Sequence, residues 1–172
     1  MTNSPLLNAF NQNNAAFLTY TVGGDPNKET SLEIFREIAR SGADIIECGL
    51  GHGANIGDGG AIQDGTYRAL SKGIKTDDVF DIIKTLRNEF DTNVIIMTYQ
   101  NKIMSYGEDN FLSKCVESKV AGIICVDWPW PLNLNFAAKC KNSNIDFIQL
   151  ICPTTNEERL KLILNDSHDV VY

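Results

Sequence analysis

The sequence predicts a parallel α/β fold, and two observations carry that prediction. Short apolar runs alternate along the chain with amphipathic segments at helical spacing. The apolar runs are continuous, which is typical of strands whose two faces are both covered by other elements. Two parallel architectures match this pattern, an open doubly wound sheet and a closed (β/α) barrel, and the pattern alone leaves both open.

The elements follow in order. Strands are predicted at 16–22, in a run that ends at Glu47, at 94–99, 122–127 and 146–152, and at the start of a sixth run, 169–172. Helices are predicted at 2–14, around Leu32 to Ala39, at 62–72, 76–90, 108–119 and 132–142, and around Leu160 to Leu164. Asp25-Pro26 is interpreted as the N-cap and first residue of the second helix, and Thr155 with Glu158 as a capping box for the last one.

Five β-then-α units and part of a sixth strand therefore occupy residues 1–172. No linker or change of composition divides them, so we expect a single partial domain. An ending in mid-strand predicts that the chain is truncated relative to its architecture.

Composition narrows the classes of function. A net charge of −7 argues against nucleic acid as the main partner, although a phosphorylated small molecule needs only local donors. Neither a secretory leader nor a membrane-spanning run is visible, which predicts a cytoplasmic protein. The five cysteines form no CxxC pair and are expected to be buried, reduced thiols. His52 and His168 are too far apart in sequence for a metal-site spacing, so no metal is expected.

Polar residues at the carboxyl ends of the strands are the candidate site. Strand alternation puts Glu47 on the face of Ile45, Tyr99 on the face of Met97, and Tyr172 on the face of Val170. If those faces line a barrel, a carboxylate and two phenols converge on an apolar cavity, where burial would raise the pKa of Glu47 and suit it to acid–base catalysis. The alternative is an ordinary solvated or paired acid.

A glycine-rich loop follows Glu47, with Asp58 inside it. Residues Gly49 to Ala54 match G-x-G-x-x-A, a dinucleotide fingerprint, but the following glycines disfavour the helix that this motif requires. Asp58 between two glycines could equally be a turn residue. None of the ten lysines falls in a predicted strand, which argues against a Schiff-base aldolase.

Several segments, in order, carry a family resemblance. They are 17–26 (FLTYTVGGDP), 41–49 (SGADIIECG), Asp58-Gly59 with Ile62-Gln63, 97–101 (MTYQN), Tyr106-Gly107, and 153–155 with 170–172. Together they resemble the tryptophan synthase alpha subunit over nearly the whole chain.

The resemblance implies a (β/α)₈ TIM barrel, present here as its first five βα units and the start of the sixth strand. It also implies a lyase of tryptophan biosynthesis, which cleaves indole-3-glycerol phosphate, a phosphate ester, to indole and glyceraldehyde 3-phosphate. Glu47 falls on the family's proton-shuttling glutamate and Asp58 on the aspartate that contacts the indole N–H. Tyr20, Tyr99 and Tyr172 fall on substrate-binding aromatic positions. Members need no cofactor of their own and pair with a beta subunit that carries pyridoxal phosphate.

The sequence departs from the family between the two acids. Members usually have Pro-Phe-Ser-Asp-Pro-Leu-Ala there, whereas residues 51–57 read Gly-His-Gly-Ala-Asn-Ile-Gly. The spacing survives, but an acid that contacts the beta subunit and two prolines are absent. Thr19 replaces a usual proline, and Trp128-Pro129-Trp130 replaces a milder interface segment. A non-catalytic barrel relative that binds a partner or metabolite is therefore the alternative.

Overall fold

The strands form one parallel sheet. The computed structural model describes residues 4–10 and 15–172. Five strands are hydrogen-bonded in the order β1-β2-β3-β4-β5, and an isolated parallel bridge joins Gln149 to Val171 at the position of a sixth. The strands are β1 (Leu18–Val22), β2 (Ile45–Gly49), β3 (Asn93–Thr98), β4 (Gly122–Cys125) and β5 (Asp146–Phe147).

A short helix precedes β1, and one or two helices follow each strand. They are α1 (Leu7–Phe10), α2 (Lys28–Arg40), α3 (Gly60–Ser71), α4 (Thr76–Glu89), α5 (Gln100–Tyr106), α6 (Glu108–Glu117), α7 (Leu134–Asn142) and α8 (Glu157–Asp166). The leading helix predicted at 2–14 is observed only as α1, and its predicted parts at 2–3 and 11–14 lie outside the described residues.

The strand order decides between the two parallel architectures. A doubly wound sheet reverses its order at a switch point, whereas here the order stays sequential throughout. The larger core cluster joins the outer faces of the strands to α2, α4, α5, α6 and α7. The smaller cluster lies on the opposite face and contains Ile45, Ile95 and Ile124 from β2, β3 and β4, and Ile148, which directly follows β5. Helices cover one face of the sheet, and strand side chains pack against one another on the other face. This is the arrangement of a barrel wall.

The N-terminal segment closes the amino-terminal end of this inner face. Leu6 is fully buried in the smaller cluster. The Ser4 hydroxyl donates to the carboxylate of Asp146 at the start of β5, and its backbone N–H donates to Asp169 at 3.0 Å. The imidazole of His168 contacts the carboxylate of the same Asp146. These contacts leave the carboxyl ends of the strands as the open end.

Three local predictions were wrong, and one helix was not predicted. Asn27, not Asp25, is the N-cap of α2, and Asn156, not Thr155, caps α8; each asparagine accepts from the backbone N–H three residues on. The fifth strand has two ladder residues, because residues 148–152 have only the single bridge at Gln149. Helix α5 was not predicted, because it follows β3 directly and no turn sequence separates the two elements.

Candidate active site

Glu47 lies near the carboxyl end of β2 with its side chain on the inner face. It pairs in register with Tyr20 on β1 and Ile95 on β3, and the inner-face residue Ile45 precedes it by two. Only 8% of Glu47 is exposed, and no described cation forms an ion pair with it. The chain therefore holds a carboxylate in an apolar wall without a neutralising partner.

Burial also changes the pKa of Glu47. Desolvation disfavours the charged carboxylate and raises the pKa of Glu47 above its ordinary value. A carboxyl group with a raised pKa can both donate and accept a proton nearer to neutrality than a surface glutamate can. This is the protonation behaviour that acid–base catalysis requires.

Tyr20 links the two predicted acids. Burial raises the pKa of the Tyr20 phenol, and the negative charges of Asp58 and Glu47 add to that increase. The Tyr20 phenol therefore experiences the charges of both predicted acids. Gly49 permits this placement, because a Cβ there would come within 2.7 Å of Tyr20 Cζ.

The loop after β2 folds back onto Tyr99, which follows β3. The backbone N–H of Gly57 donates to Tyr99 Oη at 3.0 Å, and the rings of His52 and Tyr99 lie 5.4 Å apart. Asp58 comes next in the chain and is half-buried. Burial raises the pKa of Tyr99, the hydrogen bond from Gly57 lowers it, and the charge of Asp58 raises it. Glu47, Asp58, Tyr20 and Tyr99 are thus one electrostatic group.

Tyr172 is apart from that group. Its backbone N–H donates to Gln149 O at 2.9 Å and its carbonyl accepts from Ile151 N at 2.8 Å, which fixes the main chain beside β5. Val170 packs on the inner cluster as strand alternation predicts, but the Tyr172 side chain is 63% exposed. Its role in substrate binding stays a prediction.

The glycine motif does not form a dinucleotide site. The helix after the loop begins at Gly60, well beyond the Gly49–Ala54 match, and its N-cap Gly59 provides no side-chain cap. A pyrophosphate site of this type requires the helix to start within the motif. The residues between the two acids form an irregular loop instead.

Two further polar residues at this end were not predicted as functional. Asp127 Oδ1 accepts from the backbone N–H of Gln100 at 2.6 Å and so caps the start of α5. Lys102, on α5, lines a small cleft with Gly51, and burial lowers its pKa. Because α5 itself was missed, no sequence signal placed Lys102 near the loop. Over residues 4–10 and 15–172, no three His, Cys, Asp or Glu side chains are grouped to share a metal ion.

A parallel barrel wall with a buried glutamate and a neighbouring aspartate at its open end defines a (β/α)-barrel protein with an acidic site. Residues 6–172 match the family model described as tryptophan synthase alpha chain, and this chain belongs to that family. The described residues contain no helix with the length and apolar character needed to cross a membrane.

Curated relatives and solved structures agree with that assignment. The alpha chain of Pelagibacter ubique is 51% identical over 91% of this chain, and that of Petrotoga mobilis 38% over 88%. The chain spans 59% of the length of each of these relatives. The Legionella pneumophila alpha chain superimposes with a TM-score of 0.90 at 30% identity, covering 100% of this chain and 66% of that one. The tryptophan synthase complex of Pyrococcus furiosus contains a chain that superimposes with a TM-score of 0.82 at 35% identity. The match covers 88% of this chain and 63% of that one.

Proposed function

We propose that this chain carries the acid–base half of a lyase site that cleaves indole-3-glycerol phosphate to indole and glyceraldehyde 3-phosphate. One observation carries the proposal: Glu47 is buried without a cation on the inner face, and burial raises its pKa. Family membership supplies the reaction class. Glu47 and Asp58 are the proposed catalytic residues, in one partial barrel domain that comprises residues 1–172.

The proposed retro-aldol step is balanced in protons. Protonated Glu47 gives its proton to ring carbon C3 of the substrate, and Asp58 stabilises the positive charge that develops at the indole N–H. The hydroxyl on the adjoining carbon loses its proton to the Glu47 carboxylate and becomes the aldehyde. The bond from C3 to that carbon breaks, and its electron pair returns to the ring. Glu47 ends in its starting form, and the products are indole and the aldehyde phosphate.

The aromatic residues are proposed to hold the indole ring. The charge of Asp58 raises the pKa of both phenols, and the charge of Glu47 also raises that of Tyr20, which supports a place for these rings beside the acids. Aromatic walls favour a flat apolar substrate and exclude water, which strengthens the charge interactions at the reacting ring. Tyr172 is proposed as a third contact, which its exposed side chain would make by turning toward the inner face.

The proposal includes a partner subunit and a cellular compartment. The Pyrococcus furiosus neighbour is part of a tryptophan synthase complex. We propose that this chain likewise binds a beta subunit, that pyridoxal phosphate belongs to that partner, and that this subunit needs no cofactor. A cytoplasmic setting is supported by the five free cysteines, four of which are buried.

The loop at 51–57 favours a second candidate, a barrel relative that no longer performs the reaction. Ile56 is 90% exposed, and the family's acid and prolines are absent from this segment. Indole production measured with and without a beta subunit separates the two candidates. The catalytic candidate predicts indole release that the partner increases, and the non-catalytic candidate predicts none.

The decisive assay uses the chain completed with the remaining strands of the Pelagibacter relative. Glu47→Gln should lower kcat for indole release by about 10²–10⁴-fold, because the amide cannot transfer a proton. Glu37→Gln, at an exposed glutamate of α2, is the matched control and should retain activity. Full activity of Glu47→Gln would refute the assignment. For the 172 residues alone we expect little turnover, because binding energy from the substrate phosphate helps to position the reacting centre.

A further inference from the structure

A cavity of about 280 Å³ opens at the carboxyl ends of β4 and β5. The loop between β4 and α7 and the loop between β5 and α8 form its sides. None of its lining residues belongs to the group around Glu47. Its volume lies just below the range of about 300–1,000 Å³ that is usual for ligand pockets, so it would accept one or two rings.

Two indole rings wall this cavity, and both are held in place. Trp128 stacks on Phe136 with ring centroids 5.3 Å apart, and its Nε1–H donates to Leu132 O at 3.1 Å. Trp130 donates from Nε1–H to Asp166 at 2.8 Å. With both ring orientations fixed by hydrogen bonds, the aromatic walls are formed before any ligand arrives. A ligand would therefore lose little binding energy to ordering them.

The floor is polar but internally satisfied. The buried side-chain amides of Asn133 and Gln149 bond to each other in both directions, at 2.9 and 3.0 Å. Asn133 also donates to Trp128 O at 2.7 Å. These polar groups already have hydrogen-bond partners, so a ligand need not provide any. The cavity therefore suits an apolar ring.

Arg159 provides the charge at the rim. Its guanidinium lies 5.3 Å from the ring centroid of Trp130 and donates to Trp130 O at 2.6 Å. No described carboxylate lies within ion-pair distance of Arg159. Three other arginines with exposed or partly exposed side chains do have such partners: Arg36, Arg40 and Arg68. The Arg159 guanidinium therefore stacks on Trp130 and keeps further N–H donors for an anion, although the net charge of the chain is −7.

We propose that this cavity binds a small aromatic carboxylate, with the ring against the Trp128 and Trp130 indoles that line it and the carboxylate on the Arg159 guanidinium. The ring packs against aromatic side chains, and the carboxylate matches the planar donor geometry of arginine. This site is separate from the proposed lyase chemistry and does not depend on it.

The chain offers a direct readout, because Trp128 and Trp130 are its two tryptophans. Two indole N–H resonances in a ¹H–¹⁵N spectrum of the 172-residue chain report on the cavity. Three probes separate its features: benzoate, cyclohexanecarboxylate, which lacks the aromatic ring, and benzyl alcohol, which lacks the charge. We expect benzoate to shift both resonances saturably and to bind about tenfold more tightly than either of the other two.

Arg159→Gln should raise the Kd for benzoate about tenfold while leaving the rest of the spectrum in place. Arg40→Gln is the matched control, because Arg40 also stacks on an aromatic ring, Phe90 at 5.8 Å, but lies on α2. It should leave the Kd unchanged. Unshifted indole resonances in up to about 10 mM benzoate would overturn the proposal, since even a weak millimolar site would fill. Equal affinity for all three probes, or equal effects of the two substitutions, would overturn it as well.

Discussion

The phenol oxygen of Tyr99 accepts a hydrogen bond from the backbone N–H of Gly57 at 3.0 Å. The bond connects the residue after β3 to the loop after β2, immediately before Asp58. Gly57 and Asp58 are adjacent, so this contact fixes where the second proposed acid can lie. The loop is otherwise rich in glycine, which raises the entropy it loses on ordering.

Removing the Tyr99 hydroxyl should release this loop. Tyr99→Phe is expected to lower the free energy of unfolding by about 0.5–1.5 kcal/mol and to speed hydrogen exchange at the Gly57 amide. Tyr67→Phe is the control, because the Tyr67 side chain on α3 is 74% exposed. Exchange at Gly57 is measured by NMR. An exchange rate that is the same in Tyr99→Phe and in the wild type would show that the bond does not hold the loop.

Gly49 should be intolerant of any side chain. A Cβ at this position would come within 2.7 Å of Cζ in the rigid ring of Tyr20. Gly49→Ala is therefore expected to cost about 1–3 kcal/mol in urea unfolding, because either the ring or the strand must shift. Gly53→Ala is the matched control, since a Cβ there has nothing within 4 Å. It should change stability by less than about 0.5 kcal/mol. Equal effects at the two glycines would contradict the packing explanation.

Regular apolar patterns made much of the fold predictable. Helix α4 was predicted at 76–90 and is observed at Thr76–Glu89, because its apolar residues recur at helical spacing and become buried. Strand alternation also placed Ile45, Met97 and Val170 on one face, where the inner cluster contains or contacts all three. What the pattern could not supply was strand order, which alone separates a barrel from an open sheet.

The errors arose where distant contacts override local preference. Asp25 has good N-cap chemistry, but its carboxylate binds Arg68, 43 residues away, at 2.9 and 2.7 Å. Asn27 caps α2 in its place. Helix α5 escaped prediction because its seven residues bury only Ile103 and follow β3 without a break. In the site, the contact between Gly57 and Tyr99 joins residues 42 apart, which no local motif encodes.

The ionisation of Glu47 should make stability depend on pH in a specific direction. Burial raises the pKa of Glu47 above its ordinary value of 4.5, so the folded protein retains a proton that the unfolded chain releases. Stability attributable to Glu47 therefore falls as pH rises from that ordinary value through the raised folded value, and is constant above it. Glu47→Gln has no charge to bury, so its free energy of unfolding relative to the wild type should increase across this window.

Urea unfolding at a series of pH values measures this difference. Glu37→Gln is the control, because Glu37 is exposed on α2 and pairs with Arg40. Its difference from the wild type should show no comparable increase with pH. If the difference in unfolding free energy between Glu47→Gln and the wild type did not change with pH, Glu47 would ionise as an ordinary surface acid. That result would also remove the physical basis for its proposed catalytic role.

Asp146 should anchor the N-terminal segment to the closed end of the barrel wall. Its carboxylate contacts Ser4 and His168, and burial raises its pKa while those two partners oppose the increase. Asp146→Asn keeps the shape but removes the charge, so His168 would face only Asp169, whose carboxylate is 3.7 Å from Nε2. We expect a loss of about 1–3 kcal/mol in the free energy of unfolding.

The segment itself should loosen in the same variant. The backbone N–H of Leu6 donates to Ser4 Oγ at 3.0 Å, and Leu6 is fully buried. Once Ser4 loses its charged acceptor, hydrogen exchange at the Leu6 amide should accelerate more than exchange in the central strand β3. Asp91→Asn, at an exposed aspartate, should change neither quantity. If Asp146→Asn destabilises the whole chain but leaves Leu6 no faster than β3, then Asp146 supports the sheet and does not anchor the segment.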